Sequence, residues 1–134
     1  MRFSILMLAI IFVVNILGMY LNWYEFFGFD MILHFLGGFF VALLFFHYLR
    51  PHFLPKAKAQ NMLILVGATM FIGVVWEFAE YVANQMFSES ASAAFGIRID
   101  FMGNLDDTIK DLLMDMLGVF TLSGLLLNNR RSSK

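Results

Sequence analysis

Four long runs of apolar residues, separated by shorter polar stretches, dominate the pattern of this chain. The runs cover residues 3–21, 29–48, 62–84 and 107–127. Each approaches the length of about 20 residues that an α-helix needs to cross the hydrocarbon core of a bilayer. The pattern therefore predicts an all-α, polytopic membrane protein with four transmembrane helices in a single domain, residues 1–134. The first run continues to Tyr20 without a small-residue cleavage motif, so we expect a retained helix rather than a signal peptide.

The composition narrows the function classes. Hydrophobic residues make up 60% of the 134 positions and charged residues 14%, and the formal net charge is −1. An ordinary soluble domain is less apolar than this. A nucleic-acid-binding surface would be strongly basic, so we expect no nucleic-acid partner. The chain has no cysteine, which excludes disulfides and thiolate metal ligands.

The basic residues predict the orientation in the membrane. By the positive-inside rule, the short loops that carry most of the Lys and Arg face the cytoplasm. Arg98 and Lys110 fall on one side of the predicted helices, and the other side receives Arg2, Arg50, Lys56, Lys58, Arg130, Arg131 and Lys134. Both termini are therefore expected to be cytoplasmic, and the links before the second and fourth helices are expected to lie outside.

The fourth run carries three carboxylates on one helical face. Asp107, Asp111 and Asp115 recur at every fourth position, and Gly118 follows three residues later. These four positions lie on one side of a helix. A carboxylate in hydrocarbon costs roughly 2.5 kcal/mol or more, so this side cannot face lipid. It must face partners inside the bundle.

Polar residues occur at matching depths in the second and third runs. Asp30 and His34 lie one turn apart in the second run, and Glu77 and Glu80 lie one turn apart in the third. With a rise of about 1.5 Å per residue, one layer of the bundle should contain His34, Glu77, Asp111 and Asp115. A second layer, nearer the outer surface, should contain Asp30, Glu80 and Asp107. Three helices are thus expected to build one polar cluster.

This cluster has three open interpretations. One imidazole with up to six carboxylates cannot be fully ionised in a poor dielectric without protons or a cation. An oxygen-rich set with one His suits a divalent Mn, Fe, Zn or Mg ion, and carboxylates that project inward from several helices build di-metal sites in bundles. Alternatively, the acids share protons with one another and with His34. The third interpretation is a structural polar seam between helices.

Three motifs of the chain resemble known families when they are taken together. They read Asp30-x-x-x-His34-Phe35, Trp76-Glu77-x-x-Glu80 and Asp107-Thr108-x-x-Asp111-Leu112-x-x-Asp115-x-x-Gly118. The set resembles the small bacterial inner-membrane proteins of the YjdF type and, more distantly, the VanZ-like family. VanZ-like proteins tend to have amides where Glu80 and Asp115 stand, and the two extra acids favour a cation here.

The resemblance covers the second to fourth helices. It implies a multi-pass protein of the bacterial cytoplasmic (inner) membrane and, for VanZ-like members, a link to glycopeptide resistance. It does not supply a reaction.

The leading hypothesis from the sequence is a metal-dependent enzyme whose site opens toward the outer leaflet. Its partner would be a membrane lipid or a lipid-linked envelope substrate. Glu80 or Asp107 would act as the general base, and Arg98 would approach an anionic headgroup. The predicted metal ligands are His34, Glu77, Asp111 and Asp115, with Asp30 beside them. The alternatives are a small transporter or channel for protons or divalent cations, and a non-catalytic assembly or resistance factor; a homo-oligomer fits each of them.

Overall fold

The protein is all-helical in the residues that its computed structural model describes, 1–54, 56–96 and 98–129, with side chains described as far as residue 126. The four helices are α1 (Arg2–Tyr20), α2 (Phe29–Leu49), α3 (Lys58–Phe95) and α4 (Leu105–Asn129). Single 3₁₀ turns, Trp23–Glu25 and Arg50–His52, follow α1 and α2. The all-α prediction is confirmed. Arg130, Arg131 and Lys134, on which the predicted orientation partly rests, lie outside the described residues.

Three helices are long and apolar enough to cross a bilayer within the described part of the chain: Arg2–Tyr20, Phe29–His52 and Lys58–Phe95. Their outward surfaces carry large hydrophobic side chains, including Leu63 and Phe71, which are 72% and 67% exposed. Monomeric soluble proteins rarely expose so much contiguous apolar surface. The exposed residues are those expected to contact lipid, and the protein is a polytopic membrane protein.

The turn between α1 and α2 requires two left-handed backbone positions. Asn22 has a φ of 60° and Gly28 a φ of 87°, and Asn and Gly are the residues that adopt this conformation most readily. The Asn22 side-chain amide also donates a 2.6 Å hydrogen bond to Glu25 Oε1. The turn brings α2 back antiparallel to α1.

Helix α3 extends beyond the predicted span 62–84. Its 38 residues correspond to about 57 Å at 1.5 Å per residue, almost twice the thickness of the hydrocarbon core. It ends where Gly96 adopts a φ of 68°, the usual left-handed end of a helix. The polar residues after position 84 thus continue the helix outside the apolar span.

The stretch after Gly96 returns along this extension of α3. The alternation of apolar and polar residues over 95–101 predicts a short extended piece at the interface; residues 98–101 form neither a helix nor a regular strand. Side chains of α3 satisfy its backbone instead: Ser88 Oγ donates to Ile99 O (2.8 Å), Ile99 N donates to Ser92 Oγ (2.8 Å), and Phe101 N donates to Asn84 Oδ1 (3.0 Å). Because Asn84, Ser88 and Ser92 are four residues apart, they lie on one face of the helix.

Helices α2 and α4 form the most extensive helix pair of the bundle. A Cβ atom on Gly38 would collide with the backbone of Asp115, and one on Gly118 would collide with Phe35 O and Phe39 N. Small residues let two helices approach this closely in a membrane, where dispersion contacts rather than the hydrophobic effect hold helices together. The close α2–α4 seam fixes the height of every side chain on α4 relative to α2.

One end of the bundle is filled by apolar side chains, which we call the apolar cluster: Ala42, Leu65, Val119 and Leu122. They come from α2, α3 and α4 and are 0–4% exposed. At the other end, near the start of α2 and α4, the space between the same three helices is occupied by charged side chains.

Candidate functional site

His34 stands at the centre of these charged side chains. Its Nε2 lies 3.7 Å from Asp30 Oδ1 and 3.9 Å from Glu77 Oε1, and its Nδ1 lies 3.7 Å from Asp115 Oδ2. The imidazole is 6% exposed. These distances are too long for direct hydrogen bonds but suit an ion or water between the groups. We call the group around the imidazole the acid cluster: Asp30, His34, Glu77, Glu80, Asp111 and Asp115.

Glycines make the space for the Asp115 carboxylate. A Cβ atom on Gly73 would lie 2.5 Å from Asp115 Oδ2, and one on Gly37 would lie 3.8 Å from Asp115 Oδ1. Gly38 takes the backbone of the same residue. Asp115 is therefore held between α2 and α3 in a cradle of three glycines and is 5% exposed. Glycines that allow close helix approach thus also accommodate a carboxylate here.

Several oxygen atoms of the site lack a partner. Among the described residues, Glu77 Oε1, Asp111 Oδ1 and Thr108 Oγ1 are buried without a hydrogen bond. Glu77 is 7% exposed and Asp111 is 3% exposed. A buried acceptor without a partner costs about 1–3 kcal/mol, and more when it is charged. Something that the protein chain does not provide is needed to satisfy these carboxylates.

The potential ligand atoms fall into two groups that share His34. In each group the atoms lie within 4.8 Å of one another: Asp30, His34 and Asp111 form one, and His34, Glu77 and Glu80 form the other. Carboxylate oxygens with one imidazole nitrogen match the donors that Mn, Fe, Zn and Mg accept. Asp115 completes the surroundings of the imidazole through Nδ1.

Glu80 is oriented by a residue that the sequence analysis did not assign to the site. Trp76 Nε1 donates a 2.7 Å hydrogen bond to Glu80 Oε1. This bond leaves the second carboxylate oxygen free to point elsewhere. The spacing of four residues places the two side chains on the same face of α3, which is the signal that could have identified Trp76 as a partner.

Asp107 lies at the edge of the site. It belongs to neither potential ligand group among the described residues, and its Oδ2 lies where a Cβ of Gly103 would be. Its backbone N–H is capped by Asn104 Oδ1 at 3.2 Å, so Asn104 is the N-cap of α4. A carboxylate in the first turn also interacts favourably with the helix dipole.

Arg98 does not reach the acid cluster. Its Nε forms a 2.7 Å ion pair with Asp100 Oδ2, and its side chain is 86% exposed. The sequence predicts that Arg98 approaches an anionic headgroup, and its exposed side chain is available for that at the surface. It is not part of the buried site.

Tyr24, on the turn between α1 and α2, is a further residue near the site that sequence reasoning missed. Partial burial of the phenol, followed by the charges of Asp30, Glu80 and Asp111, raises its pKa above the usual value of 10.0. The phenol therefore keeps its proton and can act as a hydrogen-bond donor. Helix spacing could not identify this placement, because Tyr24 lies on the turn between the two helices.

A mainly apolar cavity adjoins the acid cluster. It measures about 250 Å³ and is bounded by α1, α2 and α3, with Asp115 of α4 at one end. His34 and Asn15 also line it, and the remaining wall is largely aliphatic and aromatic. The cavity thus joins the acid cluster to an apolar space that suits a hydrocarbon chain.

The fold and the site together define a polytopic helical membrane protein with a buried carboxylate and imidazole centre. Residues 1–132 match a protein family, and the chain belongs to that family, described as "Predicted membrane protein (DUF2238)". An uncharacterized protein of Thermotoga maritima is 31% identical to it over 126 residues. That alignment covers 91% of this chain and 60% of the relative, so the chain spans about 60% of the relative's length. No solved structure matches the chain.

Proposed function

We propose that this protein is a metal-dependent enzyme of the bacterial cytoplasmic membrane that acts on a lipid or lipid-linked envelope substrate. In this proposal all four helices span the bilayer, both termini are cytoplasmic, and the acid cluster faces the outer leaflet. The placement of α4 supports a fourth span, because α4 and α2 form the most extensive helix pair and α4 buries two carboxylates, Asp111 and Asp115.

The observation that carries the proposal is the pair of unpartnered buried oxygens, Glu77 Oε1 and Asp111 Oδ1, beside His34. Glycines on α2 and α3 bring Asp115 to the same imidazole. A seam that served packing alone would be more stable with amides or apolar residues, because an unpaired carboxylate is costly to bury. A divalent cation would satisfy the free oxygens and balance their charge.

The residues divide into distinct roles. His34, Glu77, Asp111 and Asp115 would hold the ion, with Asp30 beside them at 25% exposure. A divalent ion in such a site supplies Lewis acidity. Glu80 is the better of the two general-base candidates, because Trp76 fixes one of its oxygens while Asp107 lies at the edge. Arg98, above the bundle, would attract an anionic headgroup.

A transporter for protons or divalent cations would need a polar path to the other end of the bundle. Among the described residues, the buried polar side chains there are the hydroxyls of Ser4, Thr69 and Ser123. Thr69 Oγ1 donates to Leu65 O at 2.9 Å and is already satisfied. The seam between α2 and α4 is closed by Ala42 and Val119, both 0% exposed. This arrangement favours an enzyme over a conducting protein.

The test is metal-dependent stabilisation of purified protein in detergent. Asp111→Asn and Glu77→Gln should fold and keep or raise the melting temperature without metal, because an amide is cheaper to bury than an unpaired carboxylate. Both should lose the stabilisation that Mn, Zn, Fe or Mg gives the parent protein. That stabilisation amounts to about 2.7 kcal/mol at a hundredfold excess over Kd. Asp106→Asn, which changes an exposed acid in the first turn of α4, is the matched control and should respond to metal like the parent.

Two results would contradict the proposal. If both variants fail to fold without any metal, the carboxylates are structural partners. If the parent binds no divalent ion by elemental analysis after purification without chelator, the proton-sharing interpretation is favoured. Metal binding accompanied by ion flux into vesicles containing the purified protein would identify the transporter instead.

A further inference from the structure

The cavity beside the acid cluster has a polar end and an apolar end. Asn15 on α1, His34 on α2 and Trp76 on α3 line the polar end together with Asp115. Seven residues away on the same three helices lie Leu8, Val41 and Thr69, about 10 Å further along the bundle at 1.5 Å per residue. The Thr69 hydroxyl is bonded to its own helix, so this end offers a ligand no free polar group among the described lining residues.

The size of the cavity restricts its occupant. Its volume of about 250 Å³ equals about eight water molecules at 30 Å³ each, and a methylene group is of similar size. A single hydrocarbon chain segment fits this space. A helix of a second copy, about 10 Å across with its side chains, does not.

The wall between α1 and α3 is open to the bilayer. Helix α1 packs on α2 and makes no extensive contact with α3 in the described chain. The two helices meet instead through edge-to-face ring pairs, Phe12 with Trp76 at 6.1 Å and Tyr20 with Phe95 at 5.8 Å between centroids. Phe12 is 52% exposed, so its ring can rotate outward without disturbing a packed core. Phe12 and Trp76 both line the cavity, so their ring pair lies where a ligand would enter the cavity from the lipid between α1 and α3.

We propose that this cavity binds the single hydrocarbon chain of a hydroxyl-bearing amphiphile, which enters from the bilayer between α1 and α3 and places its head at His34 and Asp115. Filling an apolar cavity from lipid gives little affinity by itself, because lipid chains are as apolar as the wall. The polar end supplies the selectivity. Asp115 is the carboxylate in the cavity wall and accepts hydrogen bonds, so a head group that donates one, such as a hydroxyl, is favoured. The inference rests on the proposed function only in treating the acid cluster as the reacting centre.

Trp76 provides a direct readout of binding. The Trp23→Phe protein retains Trp76 as its single tryptophan, and bromine quenches indole fluorescence on contact. The probes are two long-chain alcohols, one brominated beside the hydroxyl and one brominated at the far end. Quenching should be saturable, and it should be stronger for the alcohol brominated near its head because Trp76 lies at the polar end. A bromoalkane of the same length without a hydroxyl should give only weak, non-saturable quenching.

A cavity-filling substitution gives the matched comparison. Val41→Phe in the Trp23→Phe protein should weaken binding of the alcohol by about tenfold or more, since the larger ring occupies the apolar end. Val13→Phe adds the same atoms on the exposed surface of α1, where Val13 is 54% exposed, and should leave binding unchanged. Ile11→Phe is a second cavity-filling variant in case Val41→Phe does not fold.

The outcomes separate this inference from the proposed function. Equal quenching by all three brominated probes, or equal binding by the Val41→Phe, Ile11→Phe and Val13→Phe proteins, would overturn the chain-binding site even if metal still stabilises the parent. If the protein binds the alcohol saturably, with its head at Trp76, but takes up no metal, the chain-binding site is supported and the proposal of a metal-dependent enzyme is contradicted.

Discussion

The two ends of the bundle use the same three helices for opposite purposes. At the apolar cluster, Ala42, Val119 and Leu122 fill the space between α2, α3 and α4 with side chains that are 0–4% exposed. At the acid cluster, glycines open the same space and carboxylates enter it. Apolar side chains fill one end of the bundle. At the other end, glycines leave space between the helices, and carboxylates occupy it.

This difference indicates that the two ends of the α2–α4 seam contribute differently to the stability of the protein. Dispersion contacts hold the apolar cluster together, and the unpartnered groups described at that end are the neutral hydroxyls of Ser4 and Ser123. The acid end keeps two unpartnered carboxylate oxygens, on Glu77 and Asp111, which are costlier to bury than a hydroxyl. The apolar end therefore stabilises the helix arrangement within which the costly acid end is maintained.

The largest effect is expected where the backbones of α2 and α4 touch. Gly38→Ala puts a methyl group onto the backbone of Asp115, which cannot move aside as a flexible side chain could. We expect a loss of about 3 kcal/mol or more, the upper part of the range for overpacking. Gly67→Ala is the control, because nothing lies within 4 Å of its Cβ position and alanine is the better helix former. Thermal unfolding in detergent measures both; equal stability of the two variants would show that the seam is loose.

A smaller loss is expected at the apolar end. Leu122→Ala removes a side chain that is 4% exposed and leaves a cavity, which costs about 2 kcal/mol. The same change at Leu125, which is 54% exposed, should have little effect in detergent. The opposite signs expected for Leu122→Ala and for Asp111→Asn without metal test the comparison between the two ends. If both destabilise equally, the acid cluster is packed in the same sense as the apolar one.

The return stretch should respond locally. Ser88→Ala removes the hydroxyl that donates to Ile99 O and should cost about 1 kcal/mol, the net value of one hydrogen bond. Hydrogen exchange at residues 98–101 should rise while exchange in α2 stays unchanged. Ser90→Ala, at an exposed position on the same helix, should change neither. Unaltered protection in Ser88→Ala would mean that the stretch is held by contacts other than this hydrogen bond.

The smallest effect concerns Arg98. Arg98→Gln breaks an exposed ion pair with Asp100, and such pairs contribute less than about 1 kcal/mol. If Arg98 binds a headgroup, KM for a lipid substrate should rise while kcat is retained. Asp100→Asn removes the same ion pair but keeps the cation, so KM should not rise. A rise in KM for both variants would assign the effect to the local fold.

The sequence predicted the acid cluster because depth along a helix follows from a constant rise per residue. The predicted layers contain residues from three helices: Asp30 and His34 on α2, Glu77 on α3 and Asp111 on α4. In the structure, the three carboxylates surround the His34 imidazole. Helix spacing alone carries this information when the ends of the helices are anchored at a membrane surface.

Other features depend on contacts that spacing does not specify. Helix α3 continues to Phe95 because Ser and Ala tolerate a helix and because Asn84, Ser88 and Ser92 find partners on a stretch that returns alongside them. The glycine cradle around Asp115 depends on the rotation of α3 relative to α2, which no single-helix pattern specifies. Tyr24 reaches the site through two left-handed backbone positions, a tertiary effect of the turn.

The length of α3 joins the site to a distant part of the chain through one continuous helix. Its 38 residues contain no proline, so every residue can take part in the backbone hydrogen-bond ladder. The helix carries Gly73, Glu77 and Glu80 of the site near its middle and holds the return stretch through Ser88 and Ser92 near its far end. We expect a partner that tilts the far end of α3 to change the distance between Glu77 and His34 as well.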